Sequence, residues 1–155
     1  LALLQGAARK IARKLNSKHV AVIAEGEDAF LAYYWKAHLN EAGKTFASWN
    51  VLPEVNHNEI MGFEGKPKGF IALFLEGDPR DARAKKIRSA TAAVLRRSGT
   101  PSVVVPALGQ NAFERIINSL SLGSLVSIEV AKQKGIDPKE VRLINEIKLL
   151  IAKFR

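Results

Sequence analysis

Four short apolar runs, His19–Ala24, Lys44–Trp49, Gly69–Leu75 and Ser102–Val105, constrain this chain more than any other feature. Each is partly β-branched or aromatic, and little in them alternates with polar residues. Runs of this kind are strands buried on both faces of a parallel sheet. Helical segments lie between them, so the pattern is βαβ repeated. The expected fold is α/β, a three-layer αβα domain with a doubly wound parallel sheet of flavodoxin-like type. In that architecture ligands sit beyond the carboxyl ends of the strands. At 155 residues the chain is long enough to bury one real core.

Helix boundaries follow from local chemistry. The opening LALLQGAARKIARKL reads as an amphipathic helix; its cations follow the apolar start, the reverse of a signal segment. A helix over about Glu27–Ala42 is stopped by Gly43. After the third strand, Asp78 is the expected cap, Pro79 suits the first turn and Asp81 adds a carboxylate there. Ala84, Ile87, Val94 and Leu95 are its expected inward stripe. Asn111–Lys134 is a long helix closed by Gly135. The last helix, about 138–153, is expected to open on a capping box of Asp137, Pro138 and Glu140. The connection Asn50–Lys68 is long and polar, as functional loops often are.

Composition narrows the function classes. No apolar run reaches the roughly 20 residues of a membrane span. There is no cysteine, which removes disulfides, thiolate chemistry and Cys-based zinc sites and fits a reducing, cytoplasmic setting. His19, His38 and His57 lack the paired spacing of metal ligands, so no metal is expected. The net charge of +9 is compatible with a nucleic-acid partner, with anionic metabolites or with a solvated surface. The chain opens on Leu without an initiator Met and is expected to be a piece of something longer.

Three residues sit oddly. Leu31, Trp35, His38 and Ala42 form the expected apolar face of the second helix, and Glu41 falls on its flank, beside Phe30, Tyr34 and Ala37. Aromatic surface and the unpaired carbonyls of a last turn both work against its charge, as suits a base for carbon-bound protons. The plain alternative is a frayed-end Glu in water. His57 lies between Asn56 and Asn58, next to Glu59, neighbours able to hold its ring in one tautomer for acid–base work. A loop histidine bonded locally is the alternative. Lys148 projects into the apolar stripe of the last helix, Val141, Ile144, Ile147, Ile151 and Phe154. It either snorkels outward or ends in a polar cleft.

The segment Tyr34-Trp-Lys-Ala-His-Leu-Asn-Glu-Ala-Gly-Lys44, followed by Leu52-Pro-Glu-Val-Asn-His-Asn-Glu-Ile60, closely resembles the bifunctional phosphoglucose/phosphomannose isomerases of the sugar isomerase (SIS) superfamily. Val141-Arg-Leu-Ile-Asn-Glu-Ile-Lys148 looks like that family's C-terminal helix. The resemblance runs along the whole chain, 1–155, but covers only the second of the family's two domains. It implies that Glu41 is the base moving a proton between C1 and C2 of the open sugar. It implies that His57 helps open the ring and reaches the partner subunit's site in a homodimer, and that Lys148 lies near the reacting end. The implied reaction is metal-independent aldose–ketose isomerisation of glucose and mannose 6-phosphates to fructose 6-phosphate through an enediolate, without a cofactor.

The family's phosphate loop, Ser-x-Ser-Gly-x-Thr, is absent, and its place is the N-terminal SIS domain of the parent. Ser119-Leu-Ser-Leu-Gly-Ser124 imitates it only in composition, within a helix. Taken alone, the chain is expected to be inactive. A sugar-phosphate-binding SIS module without turnover is one alternative. A nucleic-acid-binding basic domain is the other, resting on the cations of Arg80–Arg97. It is disfavoured because no aromatic residues interleave with them.

Overall fold

The computed structural model describes residues 2–154. Its strands are β1 (His19–Glu25), β2 (Ala47–Leu52), β3 (Phe70–Leu75) and β4 (Ser102–Val105). All pair in parallel, in the order β2-β1-β3-β4. The helices are α1 (Ala2–Leu15), α2 (Ala29–Glu41), α3 (Ala82–Arg97), α4 (Ala112–Gln133) and α5 (Arg142–Lys153). The predicted first helix thus begins at Ala2; Leu1 lies outside the described residues.

The central strands β1 and β3 are buried along almost their whole length, which is why their sequences are continuous apolar runs. On one face of the sheet α1, α2 and α4 share a core containing Leu15, Val22, Trp35, Leu73 and Val126. On the other, Phe74 and Leu95 pack with Val55 of the β2–β3 connection, and α3 covers them. The architecture is the expected three-layer doubly wound one. No helix of the described residues is long and apolar enough to cross a membrane.

Several local expectations are corrected. The second strand is Ala47–Leu52, three residues later than expected. Lys44 has a left-handed backbone, φ 49°, which no strand residue adopts. Asn50, which ends the apolar run, is tolerated because β2 is an edge strand. Gly43 does end α2, but through close approach, since a Cβ there would lie 2.7 Å from the Leu39 carbonyl oxygen. The buried face of α2 is Leu31, Ala32, Trp35 and Leu39, turned toward α4 and away from His38.

The third helix starts at Ala82, capped by Asp81, whose side chain accepts from the Ala84 amide at 2.9 Å. Asp78 closes a separate turn by accepting from the Arg80 amide. The inward positions of α3 are Arg88, Thr91, Ala92 and Leu95, whereas Val94 is exposed. Asp137 likewise accepts from the Lys139 amide, so it shapes a turn and α5 begins later, at Arg142, without a side-chain cap.

Candidate functional site

Strand polarity decides where the candidate residues stand. Helix α2 runs back from the carboxyl edge of the sheet, so its last residue, Glu41, lies at the amino edge. Asn40 beside it fixes this: its side chain accepts from the Ala47 amide at 2.7 Å and donates to the Ala47 carbonyl at 3.3 Å, at the start of β2. His57 follows the other end of β2. Six residues of strand at about 3.3 Å each place the two roughly 17–20 Å apart.

Glu41 is exposed and borders a groove of about 500 Å³ shared with Asn40, Lys44, Ile136 and Arg142 at the root of α5. Exposure replaces the aromatic surroundings expected for it. His57 is exposed, between the tight turn Glu54–Asn56, which its amide closes by donating to the Glu54 carbonyl, and the next turn, Glu59–Phe63. Its neighbours do not hold its ring as expected, because each is engaged elsewhere. Asn58 donates to Glu54 at 2.6 Å and accepts from the Glu59 amide, while Asn56 accepts from the Thr91 hydroxyl at 2.9 Å. Glu59 takes the Asn50 amide. The polar cluster therefore shapes the loop, and among the described residues the His57 ring has no hydrogen-bond partner.

Lys148 is exposed, as is every residue of α5; the start of its apolar stripe, Val141 and Ile144, lines the groove beside Glu41, and the rest is not buried against the described residues. The three candidates are not brought together. The serine-rich stretch in α4 has a structural use. The Trp35 indole donates to the Ser119 carbonyl at 3.1 Å, and Tyr34 pairs with the Ser124 hydroxyl at 2.8 Å. Gly123 is needed there, for a Cβ would meet the Trp35 ring at 2.9 Å.

A larger crevice, about 620 Å³, opens at the carboxyl ends of the strands, where β1 and β3 diverge to opposite helix layers. None of the three candidates lines it. Its floor is an ion network that sequence reasoning missed. Arg88 on α3 pairs with Glu25 at the end of β1 and donates to Glu76, just after β3, at 2.7 Å. Glu25 also accepts from the Gly77 amide at 3.0 Å. The signal was present: a carboxylate directly follows each central apolar run, and Arg88 falls four residues after Ala84 on the inward stripe. Above this floor burial pushes the Asp28 carboxyl up, against the pull of Arg115, with Glu25 and Glu27 adding to the rise. Among the described residues no cluster of three His, Asp or Glu side chains is placed to hold a metal ion.

The family model described as the bacterial phospho-glucose isomerase C-terminal SIS domain matches residues 4–151. The bifunctional phosphoglucose/phosphomannose isomerase of Aquifex aeolicus (strain VF5) is 28% identical over 142 residues, 90% of this chain and 44% of that protein. That of Caldicellulosiruptor bescii is 29% identical over 153 residues, 96% of this chain and 45% of that protein. The chain thus spans a little under half the length of the curated relatives it matches. A glucose-6-phosphate isomerase like protein from Thermus thermophilus shares the fold, with a TM-score of 0.66 and 17% identity over 86% of this chain and 45% of that one. A match along nearly the whole sequence, on the expected doubly wound parallel sheet, leads to one conclusion: the chain belongs to the family of bacterial phospho-glucose isomerase C-terminal SIS domains.

Proposed function

We propose that this chain is the C-terminal half of an isomerase acting on glucose 6-phosphate and mannose 6-phosphate, and that it supplies three catalytic groups to sites completed by other chain segments. The observation that carries this reading is the placement of Glu41 and His57, sixteen residues apart in a motif resembling the family's, at opposite edges of one sheet. Two groups so far apart cannot serve one sugar from within a single chain. They can serve two sites in a dimer, each built from Glu41 of one subunit and His57 of the other.

In each site Glu41 moves the proton between C1 and C2, which needs a carboxylate within hydrogen-bond reach of both carbons. Its position at the edge of an open groove suits approach by a second domain carrying the substrate's phosphate. His57, whose ring has no hydrogen-bond partner among the described residues, delivers or takes the ring-opening proton. Lys148 stands on a helix that none of the described residues buries and places positive charge near the oxygen that becomes anionic in the enediolate. The phosphate is gripped by the N-terminal SIS domain. The net charge of +9 favours capture of a doubly anionic substrate.

In the complete enzyme, Glu41→Gln is expected to lower kcat by about 10²–10⁴, the usual worth of a positioned acid–base group, and to leave KM within a fewfold. Retention of turnover within a fewfold of wild type would remove the base assignment. Mixing Glu41→Gln with His57→Ala subunits under exchange is expected to restore up to about a quarter of wild-type sites, because half the dimers then hold one intact site. If proven heterodimers stay inactive, His57 does not act across the interface.

A further inference from the structure

The groove beside Glu41 contains a lysine whose position neither its motif nor its charge explains. Lys44 sits in the left-handed backbone region at φ 49°, which costs a residue with a Cβ and is kept only where surroundings enforce it. Its ammonium donates to the Glu41 carbonyl at 2.5 Å, the Glu140 carbonyl at 2.5 Å and the Pro138 carbonyl at 3.3 Å. All three of its N–H groups are thereby used. The first acceptor is an unpaired carbonyl at the negative end of α2. The other two belong to the segment that leads into α5.

The backbone of the same turn is held from the opposite side. Lys134, at the end of α4, donates to the Lys44 carbonyl at 2.8 Å and the Thr45 hydroxyl at 2.5 Å. The two lysines therefore interlock. One secures the turn to α4, and the other secures the turn to the α4–α5 connection. Helix α5 needs such a root, because none of its residues is buried.

The geometry points to Lys44 as a positioning residue that sets the helix carrying Lys148 relative to Glu41. The inference rests on the reading of Glu41 as the base. Lys44 reaches no reacting atom itself. It acts by joining the carbonyl of Glu41 to the root of α5, so that the direction in which α5 leaves the domain follows the end of α2. Loss of the ammonium frees that direction. Misplacement of a catalytic group by about 1 Å costs up to roughly a hundredfold in rate.

The absence of cysteine from this chain makes a selective test available. In Lys44→Cys, amide exchange over residues 136–145 is expected to rise at least about tenfold, while β1 and β3 stay protected. Aminoethylation of the new thiol restores an ammonium at lysine length and is expected to return exchange toward wild type. In the complete isomerase, Lys44→Met is expected to lower kcat about tenfold to a hundredfold, with KM within about twofold. Unchanged exchange at 136–145, or no recovery on aminoethylation, overturns the latch whatever Glu41 does. Raised exchange with wild-type turnover in Lys44→Met, beside an inactive Glu41→Gln, overturns the positioning role and leaves the base in place. An active Glu41→Gln overturns the base and this inference with it.

Discussion

Replacing Arg88 with Met should be among the most damaging single changes in this domain. The Arg88 and Glu25 side chains are 7% and 6% exposed, and that of Glu76 is 18% exposed. Arg88 joins the ends of two central strands to α3, and Glu76 extends the network to the Ala107 amide at 3.3 Å, beyond β4. Methionine keeps most of the side-chain stem, so the loss is charge rather than volume. Two neighbouring carboxylates then remain in the crevice floor, each with one backbone donor. Removing one member of a buried ion pair costs about 3–5 kcal/mol. For a chain of this size each kcal/mol shifts Tm by about 2–4 °C, so a fall of roughly 6–20 °C is expected. Thermal and urea unfolding followed by circular dichroism would measure it. The triple variant Glu25→Gln, Arg88→Met, Glu76→Gln should recover half or more of the loss. Its amides can still accept from Gly77 and Ala107 without leaving charge behind. If Arg88→Met melts within about 2 °C of wild type, the network does not hold the strand ends together. A triple variant no more stable than the single one would show that stranded charge is not the cause.

Two further outcomes concern pH. Burial raises the Asp28 carboxyl above its ordinary value, so the favourable contribution is present at acid pH and is lost as pH rises through the folded-state value. Asp28→Asn should therefore stabilise the domain at pH 7, with the gain closing below about pH 4; a gain of equal size at both pH values, or none, would refute this. His19 stacks on Phe70 at 4.4 Å between ring centres, and burial lowers its pKa against the pull of Glu59. As pH falls below about 6.5 the unfolded chain takes up its proton first, so stability declines. His19→Phe should lose less stability than wild type between pH 7 and 5, and an identical decline in both would place the cause elsewhere.

Much of the architecture follows from the sequence alone because burial on both faces leaves a direct mark. The runs that became the central strands β1 and β3 are apolar without alternation, and the βαβ spacing of the four runs admits few sheets other than a parallel one. Glu41, His57 and Lys148 could be singled out because each breaks a local pattern or matches a family motif. Edges were less legible. The polar Asn50 hid the end of β2, and both Asp-Pro pairs looked like helix starts although their carboxylates close turns just before the helices.

Only the tertiary structure decided how these residues are arranged. A sequence records which face of a helix is apolar, but not which end of the sheet that helix reaches. The polarity of α2 puts Glu41 at the amino edge and the course of β2 puts His57 at the carboxyl edge, so one chain cannot gather them. Arg88, Glu25 and Glu76 meet across 63 residues of sequence because β1, β3 and α3 converge at the crevice. The exposure of α5 is equally a tertiary fact. Its amphipathic pattern was readable, but burial of that pattern depends on a surface that the described residues of this chain do not provide.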